Sequence, residues 1–314
     1  MHRPPKINLF AGAHVDRLAI DRRDPGVLTK ALGEAGARVV PIWGSETLIH
    51  EGDPAHALLL APEECLDHLD GPEQLILLGR YRGAPLFVAD LGHAPATQGR
   101  GQVLDLRMAG NLLDFNEAGM LAYARAMVFW KRRHRHCGSC GAAAVPEQAG
   151  HVMRCSDGAC GATWFPRVDP AIIVLVTDGE RALLGRQAAW PAGRYSTLAG
   201  FVEPGESLED TVHREVFEET GVRLAGIEYH SSQPWPFPSS LMLGFTAMAA
   251  STDIRVDDDE LEDARWFSRD DITAGRVVLP PPTSVSFQLI SSWFDRGGVG
   301  TLAELAGRCT WQGR

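Results

Sequence analysis

Three glutamates close together in the chain are the side chains best suited to bind a cation. Glu215 and Glu219 lie four positions apart and Glu218 directly precedes Glu219, so on a helix the first two project from one face, with Glu218 beside them. Carboxylates placed in this way repel one another unless a cation neutralises them, and hard divalent ions such as Mg²⁺ prefer carboxylate oxygen. The spacing is therefore typical either of a divalent metal site or of a solvated acidic face.

The glutamates belong to a predicted helix that begins after Ser207. Ser207 is a natural N-cap, Asp210 completes a capping box, and Gly221 is placed to end the helix in a left-handed conformation. A core-facing apolar stripe repeats every four residues at Leu208, Val212 and Val216. The preceding loop, residues 200–205, contains two glycines and a proline, so its backbone can turn tightly and approach a ligand. A loop of this kind before an acidic helix suggests phosphate chemistry.

Four of the six cysteines form two close pairs separated by fourteen residues: Cys137, Cys140, Cys155 and Cys160. Gly141 and Gly161 directly follow the two pairs, which leaves room for tight knuckles that aim the thiolates at one ion. The alternative is a pair of disulfides, which are rare in cytosolic chains because thiols stay reduced there. Since four thiolates complete a tetrahedral site, we predict one structural Zn²⁺ per chain.

A proline-rich segment, residues 232–240, reads SQPWPFPSS. Its alternating prolines exclude a helix and predict an extended, stiff backbone on which Trp235 and Phe237 project to the same side. Two aromatic rings side by side could hold a flat heterocycle, since every base has a face on which to stack. The segment could equally be a docking site for a partner protein, or a linker.

Composition and length limit the kind of protein this can be. The 314 residues are enough for two or three domains, and 45% hydrophobic with 22% charged residues is typical of a globular protein. The N-terminal residues lack the apolar run of a signal peptide, and no stretch approaches the ~20 apolar residues of a membrane span. We therefore expect a cytoplasmic protein with no membrane partner. The net charge of −10 argues against general polyanion binding, so any nucleic acid must be recognised locally.

The pattern of elements predicts an α+β or α/β protein in four parts. Residues 1–133 form a strand-rich domain that ends in a linker helix, 134–165 the zinc ribbon, 166–296 a mixed α/β domain, and 297–314 a C-terminal tail. The first part is marked by short apolar runs at Ile7–Phe10, Val39–Trp43, Ala57–Leu60, Gln74–Leu78, Pro85–Ala89 and Val103–Leu106. In the third part strands and helices interleave, which predicts a mixed sheet between helices.

Three independent motifs within residues 112–294 resemble one family. Gly200, Glu206 and the run from Arg214 to Val222 resemble the Nudix box at every defining position. Residues 232–240 resemble the SQPWPFP-x-S signature of the NADH pyrophosphatase branch of Nudix hydrolases, which also carries a four-cysteine zinc ribbon just before its Nudix domain. The resemblance implies a Nudix α/β/α sandwich, and it favours a metal site for the acidic helix and base stacking for the proline-rich segment.

The same resemblance implies roles for individual residues. Ligands for Mg²⁺ or Mn²⁺ are implied at the carbonyl of Ala199 and the carboxylates of Glu215, Glu218, Glu219 and Glu260. Substrate contacts are implied at Gln233, Pro234, Trp235, Pro236, Phe237, Pro238, Ser239, Ser240, Phe165 and Ser286. We take Glu219 as the general base, with Glu215 and Glu218 as further catalytic residues, and assign Arg214 and Glu206 to positioning the loop against the helix.

One position departs from the branch. The family often has a substrate-contacting glutamate between the cysteine pairs, where this chain has Gly150, and Glu147 is the candidate to replace it.

The activity implied is metal-dependent hydrolysis of the diphosphate of NADH or NAD⁺ to a nicotinamide mononucleotide and AMP, by a homodimer. Two alternatives remain. The same site could remove NAD caps from RNA 5′ ends, as members of this branch do, or the ribbon and the proline-rich segment could form a binding module with an inactive Nudix domain.

Overall fold

The computed structural model describes residues 8–12, 14–50, 52–92, 99–256, 260–297 and 300–310. The chain divides into two compact units. The first unit contains Leu9–Val168 together with the short segment Pro234–Ser239, and the second contains Asp169–Gln233 and the residues from Ser240 onward. Among the described helices, none is both long and apolar enough to span a bilayer.

The first unit is built on a seven-stranded sheet. Its strands are β1 (Val15–Asp16), β2 (Arg38–Trp43), β3 (Glu46–His50), β4 (His56–Ala57), β5 (Ile76–Tyr81), β6 (Ala84–Asp90) and β7 (Gln102–Asp105). They lie in the order β1-β5-β6-β2-β3-β4, with β7 paired to β3. The β2–β6 pair is parallel and the other pairs are antiparallel. The expected strand-rich domain is therefore present.

Helices cover both faces of this sheet: α1 (Val27–Leu32), α2 (Pro62–Leu66), α3 (Leu106–Gly110) and α4 (Phe115–Arg133). Successive residues of β2 alternate between two cores, because Val40 packs with Met120 of α4 while Val39 packs with Cys65 of α2. A strand that is buried on both faces must be apolar at nearly every position. This explains why the apolar runs of the sequence are unbroken.

Most of those runs are strands, and one is not. The runs at Val39–Trp43, Gln74–Leu78, Pro85–Ala89 and Val103–Leu106 coincide with β2, β5, β6 and β7, and only the beginning of Ala57–Leu60 is a strand. The described part of Ile7–Phe10 ends in a turn. Phe10 has a φ of 70°, which is left-handed and incompatible with a strand.

The zinc ribbon is a three-stranded antiparallel sheet within the same unit. It comprises β8 (Ala144–Glu147), β9 (Val152–Cys155) and β10 (Thr163–Trp164), in the order β10-β9-β8. His151, directly before β9, is buried and donates from Nε2 to the carbonyl of Leu77 in β5, at 2.8 Å. Burial lowers the pKa of His151 to about 4, against the opposing effect of that hydrogen bond. The neutral imidazole therefore links the ribbon to the larger sheet.

Acid should weaken this link. Because the pKa of His151 is about 4 in the folded chain and about 6.5 in the unfolded chain, the unfolded chain binds the extra proton between these values, so stability falls as the pH drops through this window. We expect the free energy of unfolding to be about 2 kcal/mol lower at pH 5 than at pH 7 through this group. His151→Gln keeps an Nε2 donor but cannot take up a proton in this pH range. In urea titrations, this variant should therefore lose about 2 kcal/mol less between pH 7 and pH 5 than the wild type. An unchanged difference between the two pH values would contradict the assignment.

The second unit is a mixed sheet between helices. Its strands are β11 (Asp169–Thr177), β12 (Arg181–Arg186), β13 (Leu198–Phe201), β14 (Leu224–Trp235), β15 (Ser240–Ala249) and β16 (Asp263–Ser268). The helices are α5 (Leu208–Thr220), α6 (Arg269–Thr273), α7 (Val285–Phe294) and α8 (Leu302–Cys309). The order is β14-β15-β11-β12-β16 with β13 paired to β11, and β11 and β15 run parallel.

The two faces of this sheet carry different helices. Ile172 and Val174 of β11 pack with Val212 and Val216 of α5, whereas Ile173 packs on the opposite face with residues of α7. The α/β/α sandwich with a mixed sheet that the sequence predicts is thus present. Strand β11 is the central strand, because it pairs with β12, β13 and β15, and β13 leads directly into the loop before α5.

Candidate active site and zinc centre

The acidic helix α5 begins and ends as its sequence predicts. The Ser207 hydroxyl accepts from the backbone N–H of Asp210, and the Asp210 carboxylate accepts from the N–H of Ser207, which is a capping box. Gly221 ends the helix with a φ of 69°. Since Val212 and Val216 are fully buried, the helix is fixed in rotation against the sheet. That rotation places Glu215 and Glu219 at the edge of the core.

Three carboxylates converge at this edge. Glu215, Glu219 and Glu260 each offer an oxygen, and these atoms all lie within 4.8 Å of one another. Glu215 and Glu219 are each only 8% exposed, and Oε2 of Glu219 is buried without a hydrogen-bond partner among the described residues. A buried carboxylate oxygen without a donor is unfavourable, and a bound cation would supply the missing partner.

The pKa values of Glu215 and Glu219 also show that their negative charges are unfavourable in this buried position. Burial, followed by the charges of Glu215, Glu260 and Glu218, raises the pKa of Glu219 to about 8. Burial also raises the pKa of Glu215, although Arg214 opposes it. A divalent cation reverses this effect, because it favours the charged form of each carboxylate. The donor set therefore fits Mg²⁺ or Mn²⁺, which bind through hard oxygen ligands.

Arg214 holds the preceding loop against the helix. Its Nε and Nη2 donate to Glu206 at 2.5 and 2.8 Å, and Nη2 also donates to the carbonyl of Phe201 at 3.0 Å. Its Nη1 donates to Glu215 and Glu218 at 2.9 and 3.0 Å. These contacts agree with the positioning role expected for the Arg214–Glu206 pair.

Gly200 gives Glu215 its place. A Cβ at Gly200 would overlap the carboxylate of Glu215, so only glycine lets this carboxylate lie against β13. Ala199, the predicted backbone ligand, is the preceding residue of the same strand. Glu218 has an exposed side chain that pairs with Arg214 and lies outside the group of three carboxylates.

The proline-rich segment adopts a different conformation from the one expected. Pro234 and Trp235 end strand β14, but residues 236–239 form a turn instead of an extended wall. Strands β14 and β15 are neighbours in one sheet, so the chain between them has to reverse. The two rings nevertheless lie together, with centroids 5.0 Å apart in an edge-to-face arrangement.

Trp235 and Phe237 also pack inside the first unit. Their centroids lie 6.3 and 5.8 Å from that of Phe10, and both rings contact its core cluster. They are partly buried, so one part of each ring braces the fold while the rest stays accessible.

Four residues predicted to contact the substrate are buried, and Pro236 is one of them. Gln233 is fully buried; it donates to the carbonyl of Thr283 and accepts from the N–H of Val285. Ser286 is 3% exposed and accepts from the Thr197 hydroxyl at 2.8 Å. Ser240 is 8% exposed. Their hydrogen bonds and burial show a packing role, and a contact with substrate stays a prediction.

Two exposed phenylalanines differ in what the sequence reveals about them. Phe165, predicted to contact the substrate, is 64% exposed in the chain before β11. Phe201, for which the sequence analysis predicts no role, is 59% exposed on β13, directly after Gly200. The available signal was an aromatic residue next to the first glycine of the box, where the chain is expected to meet a ligand.

The four paired cysteines converge as predicted. Their sulfurs lie within 4.8 Å of one another, with Cys137 to Cys160 at 3.7 Å and Cys140 to Cys155 at 3.4 Å. All of them are free thiols, so the disulfide alternative is wrong. A Zn–S bond of ~2.3 Å requires sulfurs about 3.8 Å apart in a tetrahedron, and the set fits that requirement. Gly141 and Gly161 have φ values of 78° and 59°, as tight knuckles need.

The position between the cysteine pairs cannot carry a glutamate without rearrangement. Gly150 is buried with a φ of 91°, and a Cβ there would lie 2.8 Å from Cγ1 of Ile76. Glu147 instead pairs with Arg154 at 2.6 Å. The replacement of the family's substrate-contacting glutamate by Glu147 stays a prediction.

Three protein-family models match successive parts of the chain. Residues 36–130 match an NADH pyrophosphatase-like rudimentary NUDIX domain, residues 132–165 an NADH pyrophosphatase zinc ribbon domain, and residues 167–285 a NUDIX domain.

Individual relatives are similar over much of this length. The chain is 40% identical over 268 residues to the NAD-capped RNA hydrolase NudC of Pseudomonas syringae pv. tomato, covering 85% of this chain and 92% of that protein. It is 42% identical to NudC of Pseudomonas aeruginosa, covering 76% and 84%. The NAD-capped RNA hydrolase NUDT12 of Macaca fascicularis is 45% identical over 192 residues, or 56% of this chain, which spans only 42% of that relative. The chain therefore belongs to the Nudix hydrolases, in the branch that combines an NADH pyrophosphatase zinc ribbon with a Nudix domain.

Proposed function

We propose that this chain hydrolyses the diphosphate bond of NADH or NAD⁺ and releases a nicotinamide mononucleotide and AMP. The observation that carries the proposal is the group of Glu215, Glu219 and Glu260, in which one buried carboxylate oxygen has no hydrogen-bond partner among the described residues. Release of AMP from NADH in the presence of Mg²⁺ or Mn²⁺, measured by chromatography, is the direct test. No AMP with either ion would instead favour a binding module with an inactive Nudix domain.

The three carboxylates, together with the carbonyl of Ala199, would hold Mg²⁺ or Mn²⁺, which neutralises the diphosphate and lowers the pKa of water. Glu218 is proposed to help hold a second ion. In the reaction a water oxygen bonds to one phosphorus, the bridging P–O bond breaks, and Glu219 takes the proton of the water. Arg214 holds Glu215 and the loop before α5 in position through its hydrogen bonds to Glu206 and Glu215.

Recognition of the two bases is proposed to fall to aromatic side chains. Trp235 and Phe237 lie edge to face and are partly accessible, and the exposed Phe201 and Phe165 are further candidates. We propose that the other residues from Gln233 to Ser240 set the backbone conformation of the segment. Ser286 is proposed to support the segment.

Trp235→Ala and Phe237→Ala should each lower kcat/KM for NADH by roughly 5- to 150-fold, the effect of losing a base stack. The loss should spare a base-free analogue in which ribose alone is attached at both ends of the diphosphate, because the carboxylates act on the diphosphate. Thermal denaturation of both variants controls for the packing on Phe10. Equal losses on both substrates would mean that the segment only braces the fold.

A second candidate substrate is the NAD cap of RNA, favoured by the names of the bacterial and primate relatives. Comparing kcat/KM for NADH and for an NAD-capped oligonucleotide ranks the two. A strong salt dependence for the RNA alone would indicate phosphate contacts beyond the cap. If capped RNA is cleaved no better than NADH at any salt concentration, free dinucleotide is the substrate.

We further propose a homodimer in the cytoplasm, with domain boundaries after residues 133, 165 and 296. Three large apolar side chains close together in the sequence of the first unit are about half exposed, namely Met108, Leu112 and Phe115, and exposed apolar side chains suit a protein partner. The free cysteines suit a reducing compartment. Light scattering on the purified chain decides between dimer and monomer.

A further inference from the structure

Arg125, on α4, has a buried guanidinium edge without a conventional partner. Its Nε and Nη1 are buried and have no hydrogen-bond acceptor among the described residues. Burial lowers the pKa of Arg125. Buried N–H groups are almost always paired, and a charged group left unpaired is especially unfavourable. Within the described ranges, a group other than an oxygen acceptor therefore favours this arrangement.

That partner is an aromatic face. Cζ of Arg125 lies 4.8 Å from the ring centroid of Phe237, and Cζ of Arg107 lies 4.4 Å from the same centroid. Arg107 is also 5.8 Å from the centroid of Trp235. A guanidinium within ~6 Å of a ring face is attracted by the negative potential of that face, most strongly where water is excluded.

The two arginines have no ion-paired carboxylate in the described part of the chain. Asp105 lies close enough to favour the charged form of Arg125, but its carboxylate accepts from the backbone N–H of Arg107 as the N-cap of α3. Arg107 and Arg125 repel each other. The two guanidinium groups therefore lie beside Phe237 despite their mutual repulsion. This occurs in a chain with a net charge of −10.

We propose that Arg125 is a positioning residue for the substrate-binding segment, holding the ring of Phe237, and through it Trp235, in the orientation that stacks on a base. The inference rests on the proposed function. It differs from simple core packing in one respect, because the charge of Arg125, and not only its aliphatic stem, is needed.

Arg125→Met keeps the stem and removes the charge, and Arg125→Lys keeps a cation without the planar group. For Arg125→Met we expect the KM for NADH to rise about 3- to 30-fold, the range of a partly buried cation–π contact, with kcat nearly unchanged. Arg125→Lys should fall between that variant and the wild type. The matched control is Arg133→Met, on the same helix, where an exposed guanidinium lies 5.4 Å from the ring of Phe129.

A double-mutant cycle with Phe237→Leu tests the route of the effect. If Arg125 acts through Phe237, then Arg125→Met and Arg125→Lys should each add little to Phe237→Leu. An unchanged KM in Arg125→Met, additive effects in the cycle, or equal losses on the base-free analogue would overturn the inference. If Arg125→Met fails to fold, Arg125→Lys carries the same cycle. Hydrolysis of NADH by the wild type and by Arg133→Met tests the proposed function itself. Failure of the proposed function is therefore distinguishable from failure of the inference about Arg125.

Discussion

Glu219→Gln should lower kcat for NADH hydrolysis by about 10²- to 10⁴-fold, the usual contribution of a general base. Glutamine has nearly the same shape, but it cannot take a proton and binds a hard cation poorly. Oε2 of Glu219 is buried and accepts from no donor in the part of the chain that the structure describes, so the substitution leaves no described donor unpaired at that atom. A steady-state assay of AMP release at saturating Mg²⁺ measures the effect.

The matched control is Glu209→Gln, because Glu209 lies in the first turn of the same helix and is exposed. It changes the charge of α5 by the same amount without touching the three carboxylates. Raising the Mg²⁺ concentration separates the two roles of Glu219, since a residue that only binds the cation loses less at saturation. A near wild-type kcat of Glu219→Gln at saturating Mg²⁺ would remove the base assignment.

Local features of the site could be predicted from the sequence because short-range chemistry determines them. The capping box of Ser207 and Asp210, the left-handed Gly221 and the four-residue spacing of Glu215 and Glu219 all depend on neighbours within one or two helical turns. The Arg214–Glu206 pair spans only eight residues. The cysteine pairs are similar, because each knuckle is a local turn and one ion dictates how they meet.

Features that depend on distant parts of the chain were not predictable in this way. Nothing near Trp235 and Phe237 in the sequence indicates that Phe10, Arg107 and Arg125 lie around this pair of rings. Burial of Gln233 follows from its hydrogen bonds to residues 283 and 285, which only the tertiary fold brings near.

The turn at residues 236–239 shows a related limit. Alternating prolines are compatible with an extended backbone and with a turn, because both accept a φ near −65°. The pairing of β14 with β15 decides between them, and that pairing is a property of the whole sheet.

Cys137→Ser should lower the thermal midpoint of unfolding by roughly 10 °C or more, because a structural zinc site contributes many kcal/mol to folding. Serine is a poor zinc ligand, so three thiolates remain for an ion that prefers four. The loss should appear first in the unit that contains the ribbon, because β8 to β10 are short strands of two to four residues each. Calorimetry, together with metal analysis expecting one zinc ion per chain, measures both quantities.

Ser139→Ala is the control, since Ser139 is exposed in the same knuckle and only its backbone N–H contacts the sulfur of Cys137, at 3.3 Å. That contact survives the change, so stability and zinc content should stay at the wild-type level. Because four thiolates leave no open position for substrate, molecules of Cys137→Ser that remain folded at low temperature should keep the wild-type kcat. Absence of zinc from the native protein, or equal stability of Cys137→Ser and Ser139→Ala, would show that the four sulfurs do not hold a structural ion.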